Sequence, residues 1–132
     1  MPDLFEYAMV RVMPRVDRGE CVNVGVLLWC QAANYLGSRC LVDRARLVCL
    51  DPFVDLDAVA AHLTALRKVC AGGPDAGPAA RLSGGERFRW LTAPRSTVVQ
   101  TSPVHTGFTD DPPAELDRLV ELLVAPPGPI VP

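Results

Sequence analysis

Arginines able to bind an anion are concentrated in one stretch of the sequence. Between positions 81 and 95 four arginines accompany a single acidic residue, Glu86, in a chain whose formal net charge is −2. A guanidinium can bind carboxylate or phosphate through two parallel hydrogen bonds, which an ammonium cannot do. The stretch is therefore a candidate for binding nucleic acid or a nucleotide. Its arginines are Arg81, Arg87, Arg89 and Arg95.

His105 is the residue best suited to move a proton near neutral pH. No Asp or Glu is identifiable by spacing to orient its ring, and the only other histidine, His62, falls on the exposed side of a predicted helix. Ser96 lacks the flanking glycines of a hydrolase nucleophile and is better suited to capping a loop. A phosphoester-acting enzyme using His105 is an alternative, but the residue inventory favours a protein without catalytic residues.

A metal site is a further interpretation of the same region. Asp110 and Asp111 follow His105 within six positions, and carboxylate and imidazole groups are common metal ligands. Three ligands in one loop are a weak signal, and Asp111 is also placed to cap a helix. We therefore expect neither a metal nor a cofactor.

Arg11 lies inside the first predicted strand, where a charge is costly unless it is paired. The ordinary interpretation is an ion pair with Glu20 across a hairpin. The alternative is that Arg11, Arg95 and His105 line a pocket for an anion. Asn23, in the next strand, is either satisfied internally or a ligand contact. The candidate binding residues are thus Arg11, Glu20, Asn23, Arg87, Arg89, Arg95, Ser96 and His105.

Alternating apolar residues predict the strands that position these side chains. The first two strands should form a hairpin, because the connection between them contains Pro14 and Gly19. Residues 43–50 fit either a strand or a helix. Four strands are predicted, over residues 4–13, 21–30, 35–42 and 97–102.

Apolar residues at three- and four-residue intervals predict two helices, one that ends at about Cys70 and one after Asp111, and a third, short helix through about Leu91 is predicted from its N-terminal residues. Asp51, followed by proline, is typical of a helix N-terminus, and Gly72 is typical of a helix end. Ser83 and Glu86 have the spacing of a capping box. Asp111, again followed by proline, predicts the start of the last helix.

The length of 132 residues fits one domain, and a hydrophobic content of 49% excludes a generally disordered chain. We expect an α+β fold, a small antiparallel sheet of a hairpin or meander plus a fourth strand, packed on one side by two to three helices. The domain should span residues 1–124, with an internal flexible loop at 72–82 and a disordered proline-rich tail at 125–132. The uncovered apolar face of the sheet would be available to a partner.

Aromatic and sulfur-containing residues are assigned to the interior. Trp29, Phe88 and Trp90 are predicted to be core side chains and not a platform for stacking bases. The five cysteines lack the spacing of a zinc site, and we expect them to be buried and reduced, as in a cytoplasmic protein. The sequence has neither the pattern of a signal peptide nor that of a membrane span, so we expect no membrane partner.

Two segments resemble the bacterial family catalogued as domain of unknown function 3037 (DUF3037). They are YAMVRVMPRVDRGECVNVGVLLW and RFRWLTAPRSTVVQTSPVHTG, and the resemblance covers nearly the whole chain, most weakly at residues 72–82. It implies a small cytoplasmic bacterial protein whose gene commonly lies beside one for a HipA-like kinase. The family's recurring residues match Arg11, Pro14, Arg18, Gly19, Glu20, Asn23, Gly25, Arg87, Arg89, Ala93, Pro94, Arg95, Ser96, His105, Thr106 and Gly107.

The residues and the resemblance together predict a non-enzymatic interaction or regulatory module. The partner that the resemblance implies is a HipA-like kinase, and a second copy of the chain is another partner that a two-faced apolar sheet allows. The alternatives are a nucleic-acid or nucleotide binder that uses residues 81–95, and a phosphoester-acting enzyme that uses His105.

Overall fold

A computed structural model describes residues 1–128 of the chain. It confirms the α+β class, with one antiparallel sheet and helices packed against it. The strands are β1 (Asp3–Val12), β2 (Val22–Cys30), β3 (Tyr35–Cys40), β4 (Val99–Thr101) and β5 (His105–Thr109). The helices are α1 (Arg44–Leu50), α2 (Leu56–Ala71), α3 (Gly84–Leu91) and α4 (Pro112–Leu123), with a 3-10 segment at Pro74–Arg81.

The sheet has the order β3-β2-β1, and both β4 and β5 pair with the free edge of β1. Buried Ser102 joins these two strands, since its N–H donates to Met9 O over 2.8 Å and its Oγ accepts from Met9 N over 2.9 Å. β4 and β5 are therefore two halves of one interrupted outer strand. The sequence prediction of a single fourth strand missed β5, because the short segment His-Thr-Gly-Phe-Thr lacks apolar alternation.

A β-bulge in β2 distributes its apolar residues over both faces of the sheet. The register passes from Val10 opposite Gly25 to Arg11 opposite Asn23, which leaves Val24 as the extra residue. Beyond the bulge successive side chains point to opposite faces of the sheet. Because most of them are apolar, β2 is buried along nearly its whole length. Both faces of the central strands therefore need a cover.

Helices provide that cover on both faces, so the expectation of helices on one side only was wrong. α2, α3 and the 3-10 segment pack on the face that carries Val10 and Val24, which we call the α2 face. α4 packs on the opposite face, the α4 face, where Leu116 and Val120 meet Val26. The physical reason is that a sheet apolar on both faces gains burial from a helix on each.

The boundary between the first two helices differs from the prediction. Of residues 43–50, Arg44–Leu50 form α1, with Asp43 as its N-cap and Asp51 as its C-cap. α2 begins only after Asp55, whose carboxylate accepts from Ala58 N over 3.0 Å. Asp51 therefore ends one helix instead of starting the next, and its carboxylate accepts from Phe53 N over 2.9 Å.

The segment after α2 contains a glycine cap followed by short 3-10 turns. α2 ends at Gly72, whose φ of 75° is easily adopted by glycine, as predicted. Residues 74–81, expected to belong to a flexible loop, form 3-10 turns that bury Ala76 and Ala79 against the core. Of the expected tail at 125–132, residues 129–132 lie outside the described residues.

All five cysteines are free thiols, and their burial differs. Cys30 and Cys70 are buried as expected, and burial raises the pKa of the Cys70 thiol as well as that of the half-buried Cys40. Cys21 and Cys49 are exposed, contrary to expectation. Cys21 lies in the connection before β2 and Cys49 on the outer side of α1, so neither position faces the core.

Candidate functional site: a groove along α2

Two depressions, of about 270 and 240 Å³, lie between α2 and the segment that leads from the end of α3 into β4, and His62 lines both. Val59, Leu66 and Val69, all from α2, contribute apolar walls. We call this surface the α2 groove.

Large apolar side chains are exposed along the α2 groove. Phe53 lines one depression and is 92% exposed, and Trp90 lines the other and is 50% exposed. Val98 is exposed in the depression that also contains Phe53. Isolated exposed apolar residues are ordinary, but three along one groove are typical of an interaction surface, where aromatic residues are enriched.

Two neighbouring helix caps position Phe53. The short connection from α1 to α2 carries it between Asp51, which accepts the Phe53 N–H, and Asp55, which caps α2. Both carboxylates are acceptors for backbone N–H groups, so the backbone on either side of Phe53 is held. The ring itself projects into solvent and makes little contact with the core.

Helical geometry and Arg95 position Trp90. In α3 the core residues are Phe88 and Leu91, and Trp90 lies about 200° around the helix from Phe88. The Arg95 guanidinium donates to Trp90 O over 2.7 Å and to Leu91 O over 3.2 Å, and it lies 5.2 Å from the indole centroid. Arg95 thus satisfies two backbone carbonyl groups at the end of α3 and stacks on the indole ring. The prediction of Trp90 as a core residue was wrong.

Charged groups are distributed unevenly along the α2 groove. The depression that contains Phe53 is lined by the carboxylates of Asp51 and Asp55, and the one that contains Trp90 by Arg95. His62 lies where the two depressions meet. The groove is therefore acidic at one end and basic at the other, which gives a bound chain a preferred direction.

Two other arginines of residues 81–95, Arg87 and Arg89, are engaged in separate places. Arg89 pairs with Glu6 of β1 over 2.7 Å. Arg87 donates to Leu82 O over 2.9 Å and lies against Gly72, and within residues 1–128 its buried Nε has no hydrogen-bond partner. These guanidinium groups bind parts of the chain itself, so they do not form a prepared site for phosphates.

Arg11 lies on the α4 face, directly opposite Asn23 of β2. The Asn23 amide donates to Leu123 O at the end of α4 over 3.1 Å, so it is satisfied internally at least once. Glu20 pairs with Arg18 and not with Arg11, so the predicted ion pair across the hairpin was wrong. In the described part of the chain Arg11 has no ion pair, and its Nε is buried without a hydrogen-bond partner.

His105 is exposed on β5, opposite Tyr7, with the two rings 5.4 Å apart. It shares the α4 face with Arg11, whereas Arg95 lines the α2 groove. These three residues therefore do not surround one pocket, contrary to the alternative drawn from the sequence. Ser96 is exposed in the connection before β4.

Within 1–128, no group of three or more His, Cys, Asp and Glu side chains is placed to hold a metal ion. His105, Asp110 and Asp111 thus do not form such a group. No helix in the same range is both long and apolar enough to cross a membrane.

The exposure of Phe53 and Trp90 in the α2 groove was not predicted from the sequence. The exposure of Trp90 could have been predicted, because its spacing from Phe88 places it off the apolar side of a short helix. The exposure of Phe53 could not, since it depends on α1 ending at Asp51, and residues 43–50 fitted a strand as well as a helix. His62 was correctly predicted to be an exposed helix residue, but not to line a groove.

The fold and the groove define a small α+β domain with an antiparallel sheet covered by helices on both faces. The chain belongs to the family described as Protein of unknown function (DUF3037), whose model matches residues 7–124. The match confirms the resemblance noted in the sequence. Neither a curated protein nor a solved structure matched the chain.

Proposed function

We propose that this protein is a non-enzymatic interaction module that binds a segment of a partner protein in the α2 groove. The observation that carries the proposal is the exposure of Phe53 and Trp90 along one apolar groove. Aromatic side chains at the centre of an interface supply much of its binding energy.

The charges of the groove specify the chemistry of the partner segment. It should carry bulky apolar side chains to fill the two depressions. A basic residue would face Asp51 and Asp55, and an acidic residue would face Arg95. Opposite charges at the two ends select one orientation of the bound segment and disfavour the reverse.

The partner we propose is the HipA-like kinase that the family resemblance implies as a gene neighbour. A regulatory role follows from this choice, because a small domain bound to a kinase can change access to its substrate or its conformation. The proposal assigns no chemistry to the chain itself.

The test is a titration of the purified HipA-like kinase with the full chain, followed by calorimetry. We expect binding by the wild type and a loss of at least about a hundredfold in affinity for Phe53→Ala combined with Trp90→Ala, since hot-spot aromatics each contribute about 2 kcal/mol or more. Both side chains are exposed, so the variant should fold, and thermal unfolding checks this.

A matched control is Leu122→Ala, which removes an exposed apolar side chain from α4 instead. We expect this variant to bind the kinase like the wild type. A kinase that does not bind the wild type contradicts the choice of partner. A kinase that binds the double variant as tightly as the wild type contradicts the α2 groove as the binding surface.

A further inference from the structure

β5 is an outer strand of the sheet with an unguarded edge. Within residues 1–128 it pairs with β1 only, in a regular register from Asp3–Thr109 to Tyr7–His105. Proteins usually guard such edges with charged side chains, proline or a bulge, because free N–H and C=O groups attract other strands. The sequence His-Thr-Gly-Phe-Thr has no proline, lysine, arginine or carboxylate. The edge is therefore open to another strand.

The opposite edge of the sheet is guarded. β3 carries Arg39, whose guanidinium donates to the carboxylate of Asp117 on α4 over 3.0 Å. A strand arriving at β3 would meet this ion pair on the edge strand itself, whereas the ion pair near β5, between Arg89 and Glu6, lies one strand further in, on β1. The two edges of the sheet therefore differ in whether the edge strand itself carries a charged side chain that opposes strand addition.

An apolar pair lies beside the β5 edge. Leu4 and Phe108 are directly opposite each other in the register and are 53% and 68% exposed. They lie on the α2 face, and α3 reaches the neighbouring position of β1, where Arg89 pairs with Glu6. A strand added to β5 would cover this corner of the sheet.

We propose that β5 of a second copy of this chain pairs antiparallel with β5, about a two-fold axis at Gly107, to form a dimer with one continuous sheet. Antiparallel pairing of identical strands satisfies both edges at once and closes the assembly. In this register Phe108 faces Thr106 of the second copy. His105 faces Thr109 of the second copy.

The edge is complementary to itself in its apolar contacts. On the α2 face the two Phe108 rings flank the axis within diagonal reach, with Leu4 beside each ring. Because the two-fold axis brings the exposed Phe108 and Leu4 of each copy together, the occupant that this edge fits is a second copy.

The test is sedimentation equilibrium of the full chain from micromolar to hundreds of micromolar concentration. We expect the wild type to change from monomer to dimer across this range, because an interface of one short strand pair is small. Phe108→Lys should lose the dimer, since it removes the ring contact and places two like charges beside the axis. Phe53→Lys makes the same substitution in the α2 groove and should leave the dimer intact.

Hydrogen exchange separates strand pairing from a simple apolar contact. We expect backbone amides of residues 105–109 to exchange more slowly as the wild-type concentration rises, and those of Phe108→Lys not to change. If Phe108→Lys does not fold, Thr106→Lys serves in its place, because Thr106 is exposed and faces Phe108 of the second copy.

A wild type that is monomeric at every concentration overturns the proposal. So does a dimer that Phe108→Lys leaves unchanged, or one whose β5 amides show no added protection. The result is independent of the interaction proposed for the α2 groove, because the kinase titration depends on Phe53 and Trp90 and the dimer does not.

Discussion

Trp29 limits which residues can occupy the start of α3. Its indole is almost completely buried at the end of β2, and the first two residues of the helix lie on it. A Cβ at Gly84 would lie 2.6 Å from Trp29 Cζ3, whereas a Cβ at Gly85 would lie 3.4 Å from Cζ2. The first distance is a clash and the second is ordinary contact.

These distances predict different effects of two neighbouring substitutions on the free energy of unfolding. Gly84→Ala should lower the free energy of unfolding by about 1 to 3 kcal/mol, because the indole is held by the core and cannot move freely. Gly85→Ala should leave it unchanged or raise it by up to about 1 kcal/mol, because alanine favours the helix over glycine. Chemical denaturation of both variants checks this, and equal effects would contradict the close approach of Trp29.

Charged residues of the β1–β2 connection pair locally. Arg15 binds Asp17 and Arg18 binds Glu20, each two positions apart. The alternation in the sequence correctly places Arg11 on the face that carries Phe5. The alternation could not predict the partner of Glu20. Arg18, a close neighbour in the turn, competes with Arg11 in the strand, and the geometry of the turn decides between them.

At the scale of elements, the N-terminus of α3 is held by two reciprocal hydrogen bonds. Ser83 Oγ accepts from Glu86 N, and a Glu86 carboxylate oxygen accepts from Ser83 N over 3.2 Å. These hydrogen bonds with Ser83 lower the pKa of the Glu86 carboxyl. The capping box was predicted from the spacing of the two residues, because its interactions are local in sequence.

The capping box predicts a pH-dependent stability. Ser83→Ala should cost about 1 kcal/mol, as is usual for loss of an N-cap. Because the pKa of Glu86 is lowered in the folded state, its charge stabilises α3 fully above its unfolded pKa and loses this effect as pH falls through the lowered value. Glu86→Gln should therefore be less stable than the wild type at neutral pH and equal to it in strong acid.

Thermal unfolding of wild type and Glu86→Gln across this pH range is the measurement. The matched control repeats Glu86→Gln in a Ser83→Ala background, where the pH-dependent difference should shrink. A difference that does not vary with pH would show that the charge of Glu86 does not act on α3.

At the scale of the whole molecule, the distribution of charge disfavours binding to nucleic acid. The net charge is −2, Arg87 and Arg89 donate to acceptors within the chain, and Arg95 lines the α2 groove apart from them. Non-specific binding depends on cations free to neutralise several phosphates together. The arginines of residues 81–95 are thus close in sequence, but their guanidinium groups contact different parts of the fold.

We accordingly expect no binding to single-stranded or duplex oligonucleotides at low salt. Fluorescence anisotropy of labelled oligonucleotides titrated with the full chain measures this. Binding that weakens steeply as salt rises would contradict the expectation, and Arg89→Ala would then show whether this stretch carries it.

The sequence alone determined the features that depend on neighbours along the chain. The central hairpin, the stop at Gly72, the caps at Ser83 and Asp111 and the α+β class all follow from periodicity and turn chemistry. Only the tertiary structure decided which face of the sheet α4 covers, because an amphipathic helix can bury its apolar side against either face of a sheet that is apolar on both. It also decided the α2 groove, since Phe53 and Trp90 meet the same groove only after α1, α2 and α3 have packed.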